Sequence, residues 1–352
     1  MRPCRPDKIA SVCLRAELGS RFWLGTEIPA EAGTLLAGRI LNAKTRYRHL
    51  EDLHGRLVAL HPGDVVAGAL GHRDALHGFS GRVPEKVQAG DRLQLLNQGG
   101  VIGTGARSTP GVGEPFELQV LGCILEFPFF DRRVGVPARL ARHALPQTPL
   151  PSSLPPVLVV AGTSMDAGKT TAAAALIGAW NRRGLRVAAG KLTGVSLRRD
   201  ALQMEDSGAA PVALFTDFGV VTTNPGNAVR TARALLSHLA SAGPDLVVLE
   251  MGDGLLGRYG VHEILEDGVF RSAMAGLLLC AQDPVGAWGG VELLERRYGL
   301  RPAALSGRVT DSAAGMRFSR EELGLSAWNA MRDGERLARE LLPALLPAEA
   351  TA

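Results

Sequence analysis

Gly162 and Gly168 have five residues between them, and Gly168 is followed at once by Lys169 and Thr170, within VVAGTSMDAGKTTAAAALIGAW (159–180). A glycine-flanked turn that feeds a helix aims successive backbone N–H groups at one point, where the helix dipole also favours an anion. An ammonium and a hydroxyl at the first helical positions are the groups that reach terminal phosphates and ligate Mg²⁺. The spacing therefore predicts a phosphate-binding loop made by Gly162, Thr163, Ser164, Asp166, Ala167, Gly168, Lys169, Thr170 and Thr171. Asp166 either shapes the turn or orients an attacking group.

Two further residues sit where phosphate chemistry needs them. Lys191 follows the run LRVAAG, so it lies just past a strand, beside the γ-phosphate, and can neutralise charge on a transferring phosphoryl group. Glu250 ends the run LVVL, the place for a carboxylate that holds Mg²⁺ directly or through water. Asp206 and Asp253 read as exposed or capping acids. Tyr259, His262 and Glu263 would face a substrate if the loop after Glu250 folds back. His72 and His77, in GHRDALHG, read as exposed turn residues, since the N-terminal histidines show no metal-ligand spacing.

The elements that must carry these residues follow from the change of rhythm along the chain. ALPQTPLPSSLPPVLVV (144–160) holds five prolines, which favour extended linker geometry. The reading is a β-rich N-terminal domain over 1–143, a Pro-rich linker over 144–156 and a phosphate-loop domain over 157–345. Short β-prone runs with Gly-Asp and Gly-Gly turns in the first part argue a small barrel-like domain, with one helix expected within 29–42. In the second part, PVLVVAG, LRVAAGKL, DLVVLEMG, AGLLLCAQ and PAALSGRV alternate with helix-length segments 170–183, 226–242 and 289–299. That alternation predicts an α/β domain with a doubly wound, mostly parallel sheet, whose ligands sit at the carboxyl ends of the strands.

Composition narrows the function classes. A formal charge of +4 over 352 residues is thin, and no Lys/Arg run tracks a phosphate backbone, so nucleic acid is not an expected partner. No apolar run reaches the ~18 residues of a membrane span, and the N-terminus lacks a clean apolar signal core. Four scattered cysteines, with no C-x-x-C pair, suggest neither disulfides nor a zinc knuckle. A cytoplasmic protein is expected. Arg, Ala and Gly in excess over five lysines suggest a GC-rich, bacterial coding sequence.

The residues Gly162-Thr163, Gly168-Lys169-Thr170, then Lys191, Thr193 and Gly194 of GKLTG, then Glu250, Gly252 and Gly254 of VVLEMGDG, resemble in order and spacing the dethiobiotin synthetase superfamily, over roughly 155–315. The resemblance implies ATP and Mg²⁺, a small-molecule metabolite as substrate, and a homodimer. It places Lys191 at the phosphate, Glu250 and Asp200 (in RRDALQ) at the metal with Thr170, and Thr193, Gly194 and Gly252 at the substrate. The superfamily's adenine-reading asparagine falls on Thr310, with Asp311 beside it as an acceptor for guanine, so GTP is the alternative nucleotide. Leu192 replaces a proline and Glu250-Met251-Gly252-Asp253-Gly254 replaces a Glu-Gly-Ala-Gly-Gly floor, so biotin synthesis itself is not expected. Ser164 stands where partitioning ATPases carry a second lysine, which argues against a lysine-triggered dimer switch.

GTSMDAGKTTAA, LTG, DFG and GRYGVHEILEDGVFRSAMAGLLLCAQDP are also similar to the C-terminal domain of the D-glutamate N-acetyltransferase-like family, which makes Asp217 the rival of Asp200 for the second carboxylate. Three functions follow: an ATP-dependent ligase or kinase acting on a small carboxylate or amine, an acyl-CoA-dependent N-acyltransferase, and an accessory NTPase that loads or delivers a cofactor.

Overall fold

VLVVAG (Val157–Gly162) is buried along its whole length, so it must lie inside a sheet covered on both faces. The computed structural model, which describes residues 1–346 apart from Phe130 and Arg133, places it there. The six strands of this sheet are β1 (Val157–Gly162), β2 (Val187–Lys191), β3 (Val212–Leu214), β4 (Leu246–Glu250), β5 (Met274–Cys280) and β6 (Ala304–Ser306). Their order is β3-β2-β4-β1-β5-β6, and every pairing is parallel. β1 therefore has β4 on one side and β5 on the other.

Among the described residues eight helices accompany the sheet: α1 (Lys169–Asn181), α2 (Arg199–Asp206), α3 (Ala228–Ala240), α4 (Val261–Glu266), α5 (Gly268–Ala273), α6 (Pro284–Tyr298), α7 (Ala313–Glu321) and α8 (Ala330–Leu345). Burial of α1 between the sheet and α8 holds the phosphate loop in place. Leu176, Ile177 and Trp180 of α1 join Leu337 and Leu341 of α8 in one core, and the Trp180 indole N–H donates to the Ala338 carbonyl at 3.1 Å. α6 begins with Pro284 at its first position and Asp283 as its cap, accepting from the Gly286 N–H at 2.8 Å. Among the described residues, no helix is long and apolar enough to cross a membrane.

The chain divides into two compact units. The first holds Met1–Leu145 together with Val195–Arg199 and Thr216–Thr222; the second holds Pro146–Gly194, Asp200–Phe215 and the chain from Thr223 onward. Residues 195–199 and 216–222 fall within the 157–345 span that the sequence assigns to the phosphate-loop domain. They pair with each other, Ser196 N–H to Val221 carbonyl at 2.8 Å, and are gripped by the first unit. Buried Glu51 accepts from the Arg198 and Arg199 N–H groups at 2.7 and 2.9 Å, Asn97 donates to the Ser196 carbonyl at 2.7 Å, and Thr222 donates to the His72 carbonyl at 2.6 Å. These contacts are long-range, so no local pattern announces them. The proline-rich 144–156 has no helix or strand but is tied down as well: Ser237 of α3 donates to the Pro149 carbonyl at 2.8 Å.

In the first unit, a ten-stranded mixed sheet closes on itself through five strands. Leu35–Ile40 pairs Val65–Leu70, which pairs Val101–Ser108, then Arg92–Leu95, then Phe116–Glu126, which returns to Leu35–Ile40. Within this ring of five, each strand has a partner on both sides and leaves no open edge. The helix expected within 29–42 is therefore replaced by a buried strand, because partners on both sides supply backbone hydrogen bonds that outweigh the helix propensity of its Leu, Ala and Arg. Gly38 is required in that strand, since a Cβ there would lie 2.4 Å from the Leu118 side chain.

Candidate nucleotide site

The loop between β1 and α1 is held from three directions. Thr163 N–H donates to the Cys280 carbonyl of β5 at 2.9 Å, Gln282 donates to the Met165 carbonyl at 2.9 Å, and Leu255 N–H donates to the Gly162 carbonyl at 2.9 Å. The turn needs two left-handed residues, Asp166 at φ 57° and Gly168 at φ 99°. A non-glycine residue there is strained, a cost found where a loop geometry is enforced by its surroundings. Lys169 turns back over the loop, and its Nζ donates to the Ser164 carbonyl at 2.8 Å. Gly162 makes room for that path, as a Cβ would lie 2.8 Å from the Lys169 stem.

Charge is concentrated beneath the loop. Lys191 lies in register opposite Glu250 at the ends of β2 and β4 and forms an ion pair with Asp200 of α2. Thr170 donates to Glu250 Oε1 at 3.1 Å. Lys169 is 6% and Glu250 2% exposed. Burial pushes the Lys169 ammonium down from its ordinary pKa, opposed first by the charge of Glu250; burial pushes the Glu250 carboxyl up, opposed first by Lys191. Cys280, at the end of β5, is pushed up to about 12 by burial and stays a thiol.

The donor set fits Mg²⁺. This ion takes oxygen ligands and usually only one or two from protein, the rest from phosphate and water. Thr170 and Glu250 supply those, and Glu250 Oε2 is buried with no hydrogen-bond partner among the described residues. A buried acceptor of that kind calls for a cation or a donor. Among the described residues no group of three or more His, Cys, Asp or Glu could hold a metal, so a nucleotide's phosphates would have to complete the shell.

The remaining expected residues separate. Asp200, paired with Lys191 and acting electrostatically on Glu250, belongs to the cluster. Asp217 lies in the turn Phe215–Phe218, whose residues from Thr216 onward pack with the first unit. Thr193 is buried and donates to the Gly252 carbonyl at 3.0 Å, so its hydroxyl is committed to the floor of the site and does not face a substrate. Gly252 is there because a Cβ would lie 2.1 Å from the Thr193 carbonyl oxygen, and the Gly194 N–H donates to the Thr223 hydroxyl at 2.8 Å.

His262, expected at the substrate, is instead engaged through Nδ1 with the Tyr298 hydroxyl at 2.6 Å and through Nε2 with Arg297, both on α6. Tyr259 is buried. Thr310 does not read a base: it is fully buried and its hydroxyl donates to the Gly307 carbonyl at 2.5 Å. Asp253 departs from its reading as an exposed cap. It is half-buried at φ 66°, and its charge bears on Lys169. Gln282 and Gly307, which hold the loop from beyond the ends of β5 and β6, carry no motif of their own, although each lies within three residues of an aliphatic run.

The sheet order, the strand, loop and helix geometry and the buried lysine make the second unit a nucleotide-binding domain of the P-loop type. No model of a known protein family matches the chain, and no curated protein does. Solved structures are similar in part. The signal recognition particle receptor FtsY from Elizabethkingia anophelis, in complex with GDP, superposes with a TM-score of 0.40 at 15% identity, over 59% of this chain and 68% of that one. The signal recognition particle 54 kDa protein from Aeropyrum pernix K1, in complex with GDP, gives 0.37 at 18%, over 60% of this chain and 52% of that one, about half its length. A DUF1611 family protein from Anabaena variabilis gives 0.34 at 16%, over 56% and 62%. The fold is carried by the chain's own strand order and loop.

Proposed function

We propose that the protein is a Mg²⁺-dependent enzyme that uses a nucleoside triphosphate to phosphorylate a small carboxylate or amine metabolite, as a ligase or kinase of the dethiobiotin synthetase type. The observation that supports this is the second lysine. The loop lysine by itself suffices to hold a nucleotide's phosphates, whereas Lys191 adds a further cation beside Glu250, already oriented by Asp200. Mg²⁺, held by Thr170 and Glu250, would offset charge on the terminal phosphates. Lys169 would hold the β- and γ-phosphates, and Lys191 would stabilise charge that develops as the γ-phosphoryl group moves to its acceptor. For a carboxylate, the resulting acyl phosphate would be captured by a nucleophile, with diphosphate and phosphate released.

The test is chromatography of nucleotides after incubation with Mg²⁺, ATP or GTP and fractionated small metabolites. Parent protein is expected to form diphosphate in response to one fraction. Lys169→Ala should lose nucleotide binding, whereas Lys191→Ala should still bind nucleotide yet lose roughly a hundredfold or more in stimulated turnover. The reading is sunk if no fraction stimulates the parent, or if Lys191→Ala turns over normally. Product formed from acetyl-CoA without nucleotide consumption would replace it with an acyltransferase.

A further inference from the structure

The sheet order separates the two ends of a bound nucleotide. Lys191 and Glu250 close β2 and β4 on one side of β1, so the terminal phosphate belongs on that side. With the loop N–H groups on the α- and β-phosphates and Lys169 on the β- and γ-phosphates, a nucleotide laid in that sense would direct its ribose and base the other way, across the start of α1 toward β5 and β6. There the turn after β6 meets the phosphate loop directly. A Cβ on Gly307 would stand 2.0 Å from the Ala167 carbonyl oxygen, and one on Gly168 would stand 3.0 Å from the Gly307 Cα.

This turn carries three polar side chains, Arg308, Thr310 and Asp311. Thr310 is consumed internally, as described. Arg308 is exposed and can only donate. Asp311 is exposed as well, and its Oδ1 accepts from the Asn329 amide at 2.8 Å, while Oδ2 has no partner among the described residues. Asp311 is not the cap of α7; Ser312 is, accepting from the Gly315 N–H at 3.1 Å.

Asn329 cannot turn its amide away. Its Oδ1 caps α8 by accepting from the Met331 and Arg332 N–H groups, both at 3.1 Å, which leaves Nδ2 to face Asp311. Arg332 adds two bonds, to the Thr310 carbonyl at 2.9 Å and the Asp311 carbonyl at 3.1 Å. The start of α8 thus holds both the turn and its carboxylate, the kind of support a recognition residue needs.

We propose that Asp311, oriented by Asn329, reads the base and selects a guanine nucleotide. Guanine presents two parallel donors, N1–H and the 2-amino group, which match a carboxylate fork. Its O6 is an acceptor of the kind Arg308 can serve. Adenine sets the lone pair of N1 against the carboxylate, leaving one charge-bearing acceptor opposed rather than paired. The proposal rests on the nucleotide half of the reading above, not on the reaction, and it reverses the ATP preference implied by the family resemblance.

The test is equilibrium titration of the full chain with fluorescently labelled GDP, ADP, IDP and XDP. Parent protein is expected to bind GDP roughly tenfold or more tighter than ADP, and also tighter than IDP, which lacks the 2-amino group. Asp311→Asn should weaken GDP roughly tenfold and gain XDP, whose 2-carbonyl accepts from the new amide; that gain also shows the variant to be folded. Equal or preferential binding of ADP by the parent, IDP binding as tightly as GDP, or an unchanged GDP-to-XDP ratio in Asp311→Asn would overturn it. A parent that binds none of the four removes the nucleotide reading together with this one. Guanine-selective binding without metabolite-stimulated turnover removes only the proposed reaction.

Discussion

The Thr170 hydroxyl donates to Glu250 Oε1 at 3.1 Å and ties the first turn of α1 to the end of β4, while the second oxygen of the same carboxylate is buried without a partner among the described residues. If that pair is the protein's share of a Mg²⁺ shell, Glu250→Gln should remove most of the affinity that Mg²⁺ adds to nucleotide binding, roughly tenfold or more. Titration calorimetry with Mg²⁺ and with EDTA separates the metal-dependent part. An equal Mg²⁺ gain in parent and variant would exclude the role. Nucleotide-free protein should tolerate the change, because Gln keeps the shape of the side chain and an oxygen that accepts from the Thr170 hydroxyl.

Gly307 packs its backbone against Ala167 at φ 86°, with no room for a Cβ. Gly307→Ala combines a clash with a left-handed strain of about 1–3 kcal/mol. The expected outcome is nucleotide affinity lowered roughly tenfold or more, with the far-ultraviolet dichroism of the parent retained. Unaltered affinity would mean that the turn after β6 does not hold the loop.

Asp267 joins two elements outside the site. It caps α5 by accepting from the Phe270 N–H at 2.9 Å and takes the Arg233 Nε–H of α3 at 2.9 Å. The hydrogen-bonded Arg233 guanidinium is the main cause of its carboxyl pKa lying below the ordinary 3.8. A group whose pKa is lower folded than unfolded binds fewer protons in the folded state, so its contribution is full above 3.8 and is lost as pH falls through the folded value. Asp267→Ala should cost about 1–2 kcal/mol at neutral pH, allowing for solvent screening around the half-exposed arginine. The melting-temperature gap between parent and variant should shrink at about pH 3 and below. A gap that widens on acidification would show the sign to be wrong.

The site divides by how far apart its parts lie along the chain. The phosphate loop is contiguous, so its glycines, Lys169 and Thr170 declare a turn, a donor array and a helix start within a dozen letters. Lys191 and Glu250 each end an aliphatic run, and a buried parallel strand presents its carboxyl end to the ligand side whatever its neighbours are. Alternating runs of strand and helix length likewise announced the doubly wound sheet. Those features depend on local backbone preference and on burial patterns that a sequence carries in itself.

The rest was decided by contacts between distant residues. Leu35–Ile40 is a strand because Val65–Leu70 and Phe116–Glu126 offer it hydrogen bonds on both sides. Asp200 joins Lys191 because α2 returns over the end of β2, whereas Asp217, equally plausible by motif, packs with a different unit. Thr310 occupies the position expected for base reading, yet folding turns its hydroxyl inward to Gly307 and leaves the neighbouring Asp311 on the surface, propped by Asn329. One residue's difference in a short turn exchanges a buried hydroxyl for an exposed carboxylate, and only the packing of α8 against that turn settles which side chain a ligand can meet.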